Sequence, residues 1–236
     1  MKTLGIIGAM DAEIELIKKA LQEESTRKIG ESIYYSGKIN GKNVVIAKCG
    51  IGKVRAALCV QVMIDYFNVS AIINTGIAGG VSENLSVGDI VLSTDALQHD
   101  FDVTAFGYAP GYMCTGHNSD KPTLFHTDEN LQKLILESAT AILPSSKIKT
   151  GIIASGDKFI SDALTRKYLS EQFNATATEM EGAAIAQASS VNNVPFIIIR
   201  IISDLADGKP NEEYDKFERN ACVSLADIIL KSIEKI

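Results

Sequence analysis

The chain has 236 residues and a formal charge of −6, with 29 Asp and Glu against 23 Lys and Arg. This length suits a single α/β domain, residues 1–236, with a large buried core. An acidic chain without a cluster of Lys or Arg excludes a nucleic-acid or anionic-membrane surface.

Cys49, Cys59, Cys114 and Cys222 stand far apart, so neither a disulfide framework nor a zinc knuckle is expected. Reduced thiols in a cytoplasm are the simplest account. Asp11 and Glu13 make the N-terminal run too short and too acidic for a signal peptide. No run reaches the roughly 20 apolar residues of a membrane span.

In chain order, residues 4–7 read as a strand ending in Gly8-Ala9-Met10. Asp11 then opens an amphipathic helix with Ile14, Leu16, Ile17 and Leu21 as apolar positions and Glu13 in its first turn. Residues 33–48 carry two alternating runs around Asn40-Gly41, a pair that tolerates positive φ and predicts a hairpin. Residues 53–67 have helical spacing of Val54, Leu58, Val60 and Ile64, and residues 71–74 are a buried strand that ends in Gly76-Ile77-Ala78-Gly79-Gly80.

Residues 87–92 read as a turn and strand, and from His99 to Asp120 the periodicity fails in a loop long enough to be functional. Helix 130–143 precedes strand 148–154, which ends in Ser155-Gly156-Asp157-Lys158-Phe159-Ile160. Helix 161–173, an extended 175–178 and an Ala-rich helix 181–190 follow, the last introduced by Glu179-Met180-Glu181. The run 196–204 is almost wholly apolar and β-branched and ends in Ser203-Asp204, which suits a parallel strand covered on both faces. Residues 205–210 are loop, and 212–236 close the chain as a helix.

This order predicts a three-layer α/β/α sandwich around a twisted, mostly parallel mixed sheet. Ligands of such sheets bind beyond the carboxyl ends of the strands. Right-handed crossovers would gather those ends, residues 8–13, 76–80, 155–160, 179–181 and 203–204, at one rim.

Several common sites are excluded. Gly50-Ile51-Gly52-Lys53 fails the Walker pattern at Ala47 and Val54, and fails the dinucleotide fingerprint at Arg55. His99, His117 and His126 lack metal-ligand spacing, and no Gly-x-Ser-x-Gly elbow is present. What remains at the rim is Glu13, Glu181 and Asp204 among glycines, Met10, Met180 and Phe159. Each carboxylate has a plainer reading, since Asp204 could cap a turn and the two Glu could favour helix N-termini. Together, beside soft and flat apolar side chains that suit a purine ring, they point to acid/base work on a small organic ligand with no metal or cofactor.

Gly8-Ala9-Met10-x-x-Glu13, Asn74-Thr75-Gly76-x-Ala78-Gly79-Gly80, Val103-Thr104-Ala105-Phe106-Gly107-Tyr108, Ser155-Gly156-Asp157-x-Phe159-Ile160, Glu179-Met180-Glu181 and Arg200-x-Ile202-Ser203-Asp204 resemble 5′-methylthioadenosine/S-adenosylhomocysteine nucleosidases, which have the nucleoside phosphorylase-like fold. The resemblance implies hydrolysis of the N-glycosidic bond of these adenine thionucleosides in methionine salvage and methyl-cycle recycling.

It implies that Asp204 protonates adenine N7, Glu13 takes a proton from the attacking water and Glu181 holds the ribose hydroxyls. Ser203 would orient Asp204, Phe159 stack on the base, Ile160 bond it through its backbone, Met10 and Met180 line the ribose, and Arg200 help organise the water. Ile51, Ala78, Gly79 and Tyr214 join the expected contacts. Val103, Phe106 and Tyr108 would complete the pocket of a neighbouring subunit, which implies a homodimer. The sequence departs from some relatives at Ile77 (Ser), Cys114 (Pro) and Tyr214 (Phe). A phosphate-dependent purine nucleoside phosphorylase and a non-catalytic purine-nucleoside binding module remain the alternatives.

Overall fold

The structure is a computed structural model that describes residues 2–116, 119–206 and 214–236, the side chains of 214–221 excepted. Along the chain run β1 (Thr3–Gly8), α1 (Asp11–Lys19), β2 (Gln22–Ile29), β3 (Ser32–Ile39), β4 (Lys42–Lys48), α2 (Lys53–Phe67), β5 (Val69–Gly80) and β6 (Ile90–Gln98). They are followed by β7 (Phe125–His126), α3 (Glu129–Thr140), β8 (Ile148–Ser155), α4 (Ala163–Phe173), β9 (Ala175–Glu179), α5 (Gly182–Val191), β10 (Phe196–Asp204) and α6 (Tyr214–Ile233). The segment after β6 is irregular apart from a 3-10 turn at Thr104–Phe106. Of the sequence expectations, His117 and the part of the 205–210 loop after Ala206 lie outside the described residues.

All the described strands belong to one mixed sheet with helices on both faces, as the order of elements predicts. Parallel ladders join β1 to β4 and β5, β10 to β5, β6 to β8 and β8 to β9. The Asn40-Gly41 turn has φ of 50° and 73° and sets the β3–β4 register at Ile39 opposite Lys42. Mirror-image turns of this kind match the strand twist.

Two features go beyond the sequence reading. The sheet closes on itself: β10 pairs with both β5 and β6, β6 with β8, β8 with β9, and β9 returns to β5 through Gly79–Thr178 and Gly80–Ala177. β5 therefore continues as strand through its whole glycine run. The second is β2, an exposed antiparallel edge strand on β3.

Two cores flank the sheet. On one face α2 and α5 pack Ala56, Cys59, Val60, Met63 and Ala183 to Ala186 against β5 and β10. On the other, α1, α3 and α6 bury Ile14, Ile17, Ile135, Ile228 and Ile229 against Ile6, Ile73, Ile197 and Ile199. β10 is buried on both faces through Ser203, and each such Ile contributes about 1.5–3 kcal/mol relative to exposure. In α2 the expected apolar stripe is only partly inward, because Val54 and Leu58 are 70% and 62% exposed. Among the described residues no helix is long and apolar enough to cross a membrane.

Candidate active site

The converging strand ends of β1, β5, β9 and β10 and the first turns of α1 and α5 enclose a cavity. It is lined by Met10, Glu13, Ile51, Ala78, Gly79, Phe159, Ile160, Met180, Glu181, Ser203 and Asp204, all expected from the sequence. Ala9, Ile77, Lys158, Thr178 and Glu179 line it as well.

Glu13 owes its place to the turn between β1 and α1. One carboxylate oxygen accepts the Ala9 and Met10 N–H at 2.6 and 2.9 Å, which satisfies donors that a helix N-terminus leaves free. The other oxygen accepts Ile77 N–H from β5 at 3.1 Å. Gly76 is required beside it, because a Cβ there would run into Glu13 Oε1 and lie 3.2 Å from Arg200 Nη1. Burial pushes the Glu13 carboxyl above its ordinary range, against the opposing pull of Arg200 and the three amides. That is the direction a general base needs.

Glu181 precedes α5 and accepts Gly52 N–H at 2.9 Å. Gly52 adopts φ of 101°, a conformation that favours glycine, as it turns β4 into α2. Burial, then the nearby charge of Glu179, pushes Glu181 up to about 7. Asp204 ends β10 half-buried, with Oδ2 accepting Ser203 Oγ–H at 2.8 Å and Oδ1 accepting Ala206 N–H at 2.8 Å. Ser203 is thus hydrogen-bonded to the carboxylate that the resemblance has it orient.

The remaining expected residues lie elsewhere. Arg200 is 1% exposed and does not line the cavity: Nη2 bonds Glu179 Oε2 and Asn74 Oδ1, each at 2.5 Å, behind the wall. Val103, Phe106 and Tyr108 lie on the irregular segment outside this chain's cavity, with Phe106 78% exposed. The Tyr214 side chain is outside the described residues.

The sequence places Glu179 at the rim and in the Glu179-Met180-Glu181 motif but gives it no role of its own. The signal was Arg200 itself, since an Arg inside a buried strand demands a buried acid. Arg200, backed by bonds from Ser155 and Gly182, outweighs burial and holds Glu179 below the usual carboxylate range. Lys53, Asp100 and Asp157 are also given no role by the sequence. Lys53 Nζ meets Asp100 at 2.5 Å and Lys53 N–H donates to Asp157 at 2.9 Å, fixing the loops that carry Ile51 and Phe159.

A family model described as the phosphorylase superfamily matches residues 3–234. A Halalkalibacterium halodurans protein named 5′-methylthioadenosine/S-adenosylhomocysteine nucleosidase is 41% identical over 100% of both chains. One of the same name from Actinobacillus succinogenes is 38% identical over 99% of both. The crystal structure of the Neisseria meningitidis nucleosidase of that name, in complex with methylthio-immucillin-A, has a TM-score of 0.91 and 36% identity over 100% of both chains. With these relatives alike from end to end and one fold throughout, the chain belongs to the 5′-methylthioadenosine/S-adenosylhomocysteine nucleosidase family of the phosphorylase superfamily.

Proposed function

We propose that this chain hydrolyses the N-glycosidic bond of 5′-methylthioadenosine and S-adenosylhomocysteine, releasing adenine and the 5-thioribose product. The observation that carries the reading is the convergence of Glu13, Glu181 and Asp204 on one cavity beside Phe159 and Met180. Adenine is a poor anionic leaving group, so Asp204 gives a proton to N7 as the C1′–N9 bond breaks and a ribosyl oxocarbenium ion forms. Water attacks C1′ from the far face, and its proton passes to Glu13. Glu181 bonds the ribose 2′- and 3′-hydroxyls, which grow more acidic as charge develops on the ring. Positioned acid and base groups of this kind contribute ~10²–10⁴-fold each.

Water suits this cavity better than phosphate. Among the described lining residues Lys158 is the one cation, while the carboxylates Glu13 and Glu181 would repel a phosphate dianion. A binding module without catalysis has no use for a second carboxylate fixed by three backbone amides at Glu13.

The same reading includes a cytoplasmic homodimer of 1–236 domains, in which Val103, Phe106 and Tyr108 cover the neighbour's 5′-substituent. The homodimer is supported by exposed apolar side chains at Phe106, Val54 and Leu58, and by Ile51 and Phe159, 58% and 64% exposed beside the cavity. The test is adenine release from methylthioadenosine in phosphate-free buffer. Turnover there is expected, and a rate that requires added phosphate overturns hydrolysis.

A further inference from the structure

Glu179 has no part in the steps above, yet it ties together the elements that carry them. Its carboxylate accepts from Ser155 Oγ on β8, from Glu181 N at 3.1 Å, from Gly182 N at 2.8 and 3.0 Å, and from Arg200 Nη2 at 2.5 Å. Ser155 Oγ in turn accepts Ala183 N–H at 2.7 Å. Glu179 therefore anchors the first turn of α5, immediately after Glu181, to β8 and β10.

Arg200 is the second half of the argument. Nη1 reaches only Ile199 O at 3.3 Å among described partners, and it lies on the Gly76 side, where the Glu13 carboxylate also lies. A buried guanidinium thus stands between two carboxylates and, among the described residues, is ion-paired with Glu179 and not with Glu13. We propose that Glu179 is a positioning residue. By holding Arg200 through Nη2 it keeps the guanidinium from closing on Glu13, and by accepting the leading N–H groups of α5 it aims Glu181 into the cavity. This rests on the hydrolytic reading above.

Neutralising Glu179 frees Arg200 to pair with Glu13 and make it a weaker base, and removes the negative neighbour of Glu181. Both changes make these carboxylates lose their protons at lower pH. Asp204 and Lys158 line the same cavity as these two carboxylates, Cys49 after β4, whose thiol burial pushes up, lies near both, and His99 after β6, whose imidazole burial pushes down, lies near Glu179. The Cys49 thiol remains neutral through the range in which the carboxylates titrate, and His99 is common to the parent and every variant.

The experiment is the pH profile of kcat/KM for methylthioadenosine in the parent, Glu179→Gln, Glu179→Asp and Ser155→Ala proteins, each checked for cooperative melting. In Glu179→Gln the acidic limb is expected to move down by about one pH unit or more, with kcat on the plateau lower by at least about tenfold. Ser155→Ala keeps the Arg200 pair and is expected to keep the limb in place. Glu179→Asp keeps the charge but shortens the arm, so the limb stays while kcat falls at least about tenfold. A folded Glu179→Gln with an unmoved limb overturns the proposal. If that variant does not fold, Glu179→Asp decides, and kcat within about twofold of the parent overturns it. A parent that releases no adenine at any pH overturns the hydrolytic reading instead.

Discussion

Glu181→Gln in the unliganded protein converts a buried carboxylate into a readable stability change. The Glu181 carboxyl is pushed up to about 7 in the fold from an ordinary value of 4.5. The folded state therefore binds a proton more tightly than the unfolded chain. Stability from this group is fully present below about 4.5, falls as pH rises, and is lost once pH has passed about 7.

A displacement of this size corresponds to about 3–3.5 kcal/mol, or roughly 7–14 °C in Tm for a chain of this length. Gln keeps an oxygen for Gly52 N–H but cannot ionise. Calorimetric melting at pH 5, 6, 7 and 8 should show Glu181→Gln near the parent at pH 5 and more stable at pH 8 by that amount. The difference between the two proteins is the quantity to read, because the raised Glu13 tilts both curves alike. Parallel curves, or a variant less stable than the parent at pH 8, would refute the placement of Glu181 as a buried carboxylate beside a second one.

Asp204→Asn keeps a hydrogen-bonding side chain but has no proton to give, and Glu13→Gln removes the base. In steady-state assays with binding measured separately, each should lose at least ~10²-fold in kcat while still binding methylthioadenosine. Gly76→Ala forces a methyl group into the space shared by the Glu13 and Arg200 side chains. Because Glu13 is pinned by three amides, kcat should fall by at least about tenfold in a protein that still melts cooperatively. Phe106→Ala removes a side chain that this chain leaves 78% exposed. Its Tm should stay within about 2 °C of the parent, while KM for methylthioadenosine rises roughly tenfold if a neighbour's pocket buries the ring; an unchanged KM removes the segment from the site.

The parts legible in the sequence were those where one physical requirement dominates. The β10 run has no polar residue but Arg200 before Ser203, so its burial and its polar end could be read directly. Asn40-Gly41 is a turn whose backbone few other pairs adopt. Glu13 and Asp204 follow glycine-rich or apolar strand ends and Glu181 follows the short extended run 175–178, which places them at one rim.

The rest depends on partners distant in sequence. β2, Gln-Glu-Glu-Ser-Thr-Arg-Lys-Ile, is exposed almost throughout, so no alternation betrays it, and its pairing with β3 alone makes it a strand. Closure of the sheet rests on the two pairs that Gly79 and Gly80 make with β9. The Arg200–Glu179 pair joins residues on different strands, and the apolar spacing of α2 did not reveal that Val54 and Leu58 would face outward.

The central claim is that water, not phosphate, takes the ribosyl cation while Asp204 protonates the base. Its most direct measurement is the mass of the sugar product when the parent enzyme turns over methylthioadenosine in saturating phosphate. Free methylthioribose together with adenine is the expected result, and methylthioribose 1-phosphate would contradict the account.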